Sequence, residues 1–225
     1  MVSLYVWEWP VRITHWVIFL SIVVLTFTGY YLYDPFIISR GNRAFLMAKM
    51  RFIHEIAGFV FIAGLLVRGY WFFVGNKWAR WREFVPIGRK RWHDLKEQLG
   101  YYLFWRRKPP FTIGHNPLAG ASYTVVYFLM LVEGLTGLAL YNHVRGSETL
   151  GFFINWLPWL ISIRYLRAIH FFILFALWAF FIHHVYSAVL VSWEERNGLI
   201  ESIFTGYKFV PKDELEEDSV SRKAD

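Results

Sequence analysis

The chain has 225 residues, 56% of them hydrophobic and 21% aromatic, with 12 Trp, 13 Tyr and 22 Phe. That composition excludes an ordinary soluble domain of this length and points to an integral membrane protein. The formal charge of +7 would suit nucleic acid, but the basic residues crowd beside apolar segments, where anionic lipid accounts for them, so no nucleic-acid partner is expected.

In chain order, Met1–Trp9 lacks a basic n-region and no small-residue cleavage site follows it, so no cleavable signal peptide is expected. Four spans are expected at about 13–33, 52–74, 118–141 and 166–190, each near the ~20 residues that an apolar helix needs to cross the hydrocarbon. The fold class that follows is all-α, an integral membrane four-helix bundle, with residues 1–225 in a single domain. The apolar run 150–163 contains Pro158 and is too short to span, so it reads as interfacial or re-entrant. Stretches such as Lys77–Arg82 and Trp105–Lys108, rich in Trp and Arg, suit an interfacial amphipathic helix. The tail 191–225 turns acidic at Glu214, Glu216, Glu217 and Asp218 and reads as solvated and mobile. No internal repeat is evident.

The 76–117 connection carries ten Lys/Arg, more than the two opposite loops together. The positive-inside rule therefore puts that loop and both termini in the cytoplasm. Spans one and three then run outward, and spans two and four run inward.

Chain direction sets the depth of each intramembrane histidine. His15 lies at the cytoplasmic end of span one and His54 at the outer end of span two. On span four, His170 is outer and His184 inner. Their 14-residue separation is nearly four turns at ~3.6 residues per turn, so both imidazoles share a face, ~21 Å apart. Pairing by depth joins His54 with His170 and His15 with His184. Two bis-histidyl b haems stacked across the bilayer would use all four as axial ligands to iron and leave no open coordination position, which suits electron transfer. The chain has no cysteine, which excludes disulfides, thiolate-held iron–sulfur clusters and C-x-x-C-H attachment of c-type haem. Any one of these histidines alone is as readily a helix-to-helix hydrogen bonder or part of a proton path.

His183 competes with His184, since adjacent helical residues point ~100° apart, and the spacing favours His184. His115, in Gly114–His–Asn–Pro117, is either a boundary before a helix or a quinone or proton contact. His93 and His143 read as surface residues. Arg51 and Lys49 on the outer side, and Arg12 or Arg68 on the inner, are candidates for haem propionates or for lipid headgroups. Gly29, Gly58, Gly64, Gly134 and Gly137 would admit a macrocycle or a close helix. Glu133 is the one acid deep in a span, suited to proton handling or to a hydrogen-bonded carboxyl.

The segments Pro10–Val–Arg–Ile–Thr–His–Trp16, Arg51–Phe–Ile–His54, Val74–Gly–Asn–Lys77, Gly114–His–Asn–Pro–Leu118, Thr136–Gly–Leu–Ala–Leu–Tyr141, His184–Val–Tyr186 and Gly206–Tyr207 occur in series from near Tyr5 to about Phe209. Together they resemble the b-type cytochrome subunit of membrane-bound, periplasm-facing nickel–iron hydrogenases. The resemblance implies four transmembrane helices and two b haems, ligated at His15, His54, His170 and His184. It also implies partners: a hydrogenase small subunit whose iron–sulfur chain docks on the periplasmic side, and a large subunit that splits H₂. This chain would perform no H₂ chemistry itself and would pass electrons to membrane quinone in the bacterial inner membrane, within a hetero-oligomer. The related formate dehydrogenase cytochromes place quinone near the cytoplasmic haem, beside an Asn at the mouth of the third helix. Asn116 is comparably placed, and Tyr186 joins His115 and Asn116 as a quinone candidate. Many hydrogenase cytochromes carry a histidine one turn before the first ligand of the fourth helix, where Arg167 stands here, which favours His170. Two other functions remain open from sequence: the cytochrome subunit of a formate dehydrogenase or thiosulfate reductase, and a haem-free anchor or transporter.

Overall fold

The computed structural model describes residues 1–37, 45–85, 89–107, 113–212 and 215. In chain order they form β1 (Val2–Tyr5), α1 (Trp9–Tyr33), α2 (Leu46–Val74), a 3-10 turn (Trp81–Glu83), α3 (Arg89–Tyr102), α4 (Pro117–Arg145), α5 (Glu148–Ile154), α6 (Trp156–Leu160), α7 (Ile163–Glu195), α8 (Leu199–Thr205) and β2 (Tyr207–Val210). α1, α2, α4 and α7 are long and apolar enough to cross a membrane. Each runs past its expected span, α2 from Leu46 and α7 to Glu195. Hydropathy bounds the apolar window, whereas main-chain hydrogen bonding carries a helix on into the headgroup zone.

Local chemistry sets several of these ends. Pro10 sits in the first turn of α1, where a missing N–H costs nothing. α1 stops just before Asp34–Pro35, since a residue preceding proline disfavours the helical region. Pro117 opens α4, and Asn116 caps it by accepting the Ala119 N–H at 2.7 Å. α5 and α6 occupy the run 150–163, both far too short to span.

The chain divides into two compact units. One comprises Ile13–Arg68 and Phe128–Phe180, and its helices close a ring. α1 meets α2 where Gly64 lies against Ile18, and α2 meets α4 where Phe59 packs edge-on to Tyr141 at 5.2 Å. Glu55 and Arg145 bridge the same pair of helices at 2.6 Å. α7 returns to α1 through Tyr33 stacked on Phe171 at 4.5 Å and through Trp178 Nε1 donating to Thr26 Oγ1 at 2.9 Å. This unit is a four-helix bundle, with α5 and α6 packed beneath Ala139 and Leu166 in a small cluster of their own.

The other unit comprises Met1–Arg12, Gly69–Tyr127 and Phe181–Asp225. To a mostly helical chain it adds one short sheet that the sequence did not announce, in which β1 and β2 pair antiparallel, Val2 with Val210 through Tyr5 with Tyr207. The tail is not uniformly solvated and mobile, because α8 and β2 fold back with Ser202, Lys208 and Val210 buried. Alternating burial along β2 lets the strand share the core made by Val6, Trp7, Trp78, Ala79 and Ile113. Gly206 makes the turn possible. Its φ of +89° suits glycine, a Cβ there would meet the Tyr5 ring at 2.5 Å, and its carbonyl accepts the Val6 and Trp7 N–H groups at 2.8 and 3.1 Å. The Lys77–Arg82 stretch is likewise no interfacial helix, since Trp78 and Ala79 are core residues and Asn76 ties the turn to Val6 and to its own next residues. Lys108 and the acidic positions Glu214, Glu216, Glu217 and Asp218 lie outside the described residues.

Candidate cofactor site

Within the four-helix unit, His54 of α2 and His170 of α7 face one another. Their ring centroids are 6.3 Å apart and their planes cross at 76°. Each imidazole is held from behind by the helix next to it. His54 Nδ1 lies 2.9 Å from Thr28 Oγ1 on α1, and His170 Nδ1 lies 3.1 Å from Thr136 Oγ1 on α4. Both threonines are buried. Each spends its own proton on its helix, Thr28 on the Val24 carbonyl at 2.7 Å and Thr136 on the Val132 carbonyl at 2.8 Å. A hydroxyl has one proton to give, so each imidazole must be the donor at Nδ1, which leaves Nε2 as a lone-pair nitrogen.

That donor set suits a metal held between two imidazoles. Two metal–nitrogen bonds of about 2.0–2.1 Å, with the half-width of each ring, account for a 6.3 Å centroid separation. Among the described residues no group of three or more His, Cys, Asp or Glu gathers to hold a metal ion. A pair of neutral imidazoles is the complement of a metal whose other ligands come from a macrocycle, as in a b haem. Gly29 and Gly137 supply the space behind the rings. A Cβ on Gly29 would lie 3.1 Å from His54 Cε1, and one on Gly137 3.2 Å from His170 Cε1. Glu133, the intramembrane acid, brings Oε1 to 3.3 Å from His170 Nδ1.

The remaining histidines divide clearly. His184 sits in the other unit, half-buried, with Nδ1 3.3 Å from the Tyr123 hydroxyl of α4, while the neighbouring His183 is exposed. His15 is exposed at the start of the four-helix unit, its ring edge-on to Trp16 at 5.2 Å. His93 pairs with Glu97 at 3.1 Å on α3, and His143 is exposed. His115 is enclosed by aromatic rings, with Trp7 at 4.7 Å, Phe84 at 4.8 Å and Tyr123 at 5.0 Å. Tyr123 thus touches both His115 and His184, a role the sequence reading missed, since a tyrosine among so many aromatics carries no mark of its own. Tyr186 is instead 65% exposed. Asn116 spends its side-chain oxygen on the α4 cap and keeps its NH₂ group for other partners. Of the basic candidates, Arg68 is buried, Arg51 is exposed, and Arg12 donates to the Phe204 carbonyl at the end of α8. Lys49 is exposed.

Residues 6–206 match the family model described as prokaryotic cytochrome b561. A Rhodobacter capsulatus protein named "Probable Ni/Fe-hydrogenase B-type cytochrome subunit" is 34% identical over 221 residues, covering 95% of this chain and 84% of that protein. A protein of the same name from Azotobacter vinelandii is 35% identical over 217 residues, covering 94% and 90%. "Probable Ni/Fe-hydrogenase 1 B-type cytochrome subunit" of Escherichia coli K12 is 41% identical over 145 residues, covering 63% and 62%. With its apolar helices and paired imidazoles, this chain belongs to the prokaryotic cytochrome b561 family, alongside the hydrogenase b-type cytochrome subunits.

Proposed function

We propose that the chain is the di-haem b-type cytochrome and membrane anchor of a periplasm-facing nickel–iron hydrogenase. It takes electrons from the iron–sulfur chain of the small subunit and delivers them to membrane quinone, while H₂ is split in the large subunit. The observation that carries this reading is the His54–His170 pair, 6.3 Å apart with both Nδ1 atoms occupied, in a chain related to cytochromes named for hydrogenase. When bound, each haem supplies a one-electron Fe(III)/Fe(II) couple.

His54 and His170 hold the outer haem. His15 and His184, paired by depth along the sequence, hold the inner one. Arg51 on the outer side and Arg12 or Arg68 on the inner are the propionate candidates. The charge asymmetry of the loops supports a bacterial inner-membrane topology with both termini cytoplasmic. Quinone meets the cytoplasmic side near His115, Asn116 and Tyr123, where a few polar groups stand among aromatic rings that would orient an otherwise apolar molecule. Tyr186, being largely exposed, would line the approach rather than the contact itself.

Reduced-minus-oxidised spectra and a pyridine haemochrome assay on the purified chain test the reading. Two b haems per chain, reducible by H₂ when the hydrogenase subunits copurify, are expected. A chain without haem would defeat it.

A further inference from the structure

The two threonines that back His54 and His170 stand in the same sequence context. α1 carries Thr28–Gly29–Tyr30–Tyr31–Leu32–Tyr33 and α4 carries Thr136–Gly137–Leu138–Ala139–Leu140–Tyr141, a T-G-x-x-L-Y pattern repeated on two helices. The copies do equivalent jobs. Each threonine accepts from the Nδ1–H of the histidine on the next helix, and each following glycine lets that ring lie against bare backbone. Each closing tyrosine packs crosswise, Tyr33 against Phe171 beside His170 and Tyr141 against Phe59 on the helix of His54.

We infer that Thr28–Gly29 and Thr136–Gly137 are matched positioning residues that fix both axial imidazoles of the outer haem in the Nδ1–H tautomer and hold its reduction potential down. This rests on the assignment of His54 and His170 as its ligands. A hydrogen bond from Nδ1–H to an oxygen makes the opposite nitrogen more basic, and a more basic ligand stabilises Fe(III) over Fe(II). Glycine after each threonine leaves the ring its place, since a Cβ would lie 3.1 Å from His54 Cε1 or 3.2 Å from His170 Cε1 and press the imidazole to shift by a few tenths of an ångström. The arrangement is nearly two-fold, and it departs from symmetry only where Glu133 offers a carboxyl oxygen at 3.3 Å to His170.

The test is a potentiometric titration of both haems in the purified complex, with the EPR spectrum of the oxidised form, for Thr28→Val, Thr136→Val and the corresponding serine variants. Each valine variant is expected to raise the reduced-to-oxidised ratio of one haem at fixed ambient potential severalfold to tenfold, tenfold being about 59 mV for one electron. Its low-field g value should move as well. Thr28→Val should act more strongly than Thr136→Val, because His170 retains Glu133. The serine variants should titrate as the native protein, and the other haem should be unmoved throughout. Loss of the outer haem in the valine variants with retention in the serine variants carries the same meaning. Two haems with unchanged potentials and unchanged EPR in both valine variants would overturn the inference. Haem counts in His54→Ala separate this from failure of the ligand assignment: one haem lost leaves the assignment intact, whereas two retained removes it.

Discussion

At the scale of single residues, the site depends on which nitrogen of each histidine is free, and that is set by groups on neighbouring helices. Replacing His54 or His170 with Ala is expected to lower haem content from two toward one per chain, the same haem being lost in both, as resolved by potentiometric titration. His15→Ala and His184→Ala should remove the other haem. His183→Ala should leave both, since His183 is exposed whereas His184 contacts Tyr123. Loss of a haem from His183→Ala with none lost from His184→Ala would reverse the ligand assignment on α7. Asn116 permits a sharper separation of roles. Asp preserves an N-cap oxygen, whereas Ala removes it at a cost of about 1 kcal/mol. Asn116→Asp should therefore keep the thermal stability of the native chain while slowing reoxidation of the haems by quinone. Equal quinone kinetics in Asn116→Asp would assign Asn116 to capping alone.

At the scale of elements, the terminal pieces are bound to the loop that precedes α4. Lys208 of β2 is buried and donates from Nζ to the Ile113 carbonyl at 3.1 Å, just before Gly114–His115. Burial pushes its pKa below the usual lysine value, with Glu195 opposing in part. The sign of the linkage follows: the unfolded chain binds a proton that the folded chain has released anywhere between the lowered pKa and 10.5. Stability of this docking should rise with pH through that window and flatten above it. Limited proteolysis of the tail in detergent, followed from pH 8 to 11 (roughly the range bracketing ordinary lysine titration), should show increasing protection in the native chain. Lys208→Met should remove that pH dependence, whatever its effect on protection at a single pH. The Glu8 carboxylate accepts Trp71 Nε1 and the Asn76 N–H, each at 2.8 Å, and so ties the segment before α1 to the end of α2.

At the scale of the whole molecule, the proposed reading makes turnover electrogenic. Protons released from H₂ in the periplasm and taken up by quinone from the cytoplasm leave only electrons to cross the bilayer, against a potential worth ~2.3 kcal/mol per charge for each 100 mV. Proteoliposomes holding the complex and a quinone should build a potential on H₂ addition, negative on the face corresponding to the cytoplasm, and an uncoupler should collapse it. Quinone reduction at the normal rate with no potential would put the quinone site on the periplasmic side. It would also deprive the inner haem of its proposed place in the path.

The amino-acid sequence by itself determined the membrane class, the four long helices and the family, because apolar length and short motifs are local properties read without knowing what packs where. It also marked His54 and His170 as partners, since chain direction alone fixes their depth. The tertiary structure decided what stands behind those rings. Thr28 and Thr136 are ordinary intrahelical threonines until a neighbouring helix delivers an imidazole to each, and the repeat around them is too short to stand out before both copies are seen at the same work. The same holds for the tail. Nothing local told α8 and β2 to fold back on β1, because the two strands lie some two hundred residues apart and each is too short to announce itself; Val210, Lys208 and Gly206 gain their roles only from the core contributed by Val6, Trp7 and Ile113. Side-chain periodicity records which face of an element is apolar, and only folding decides what that face meets.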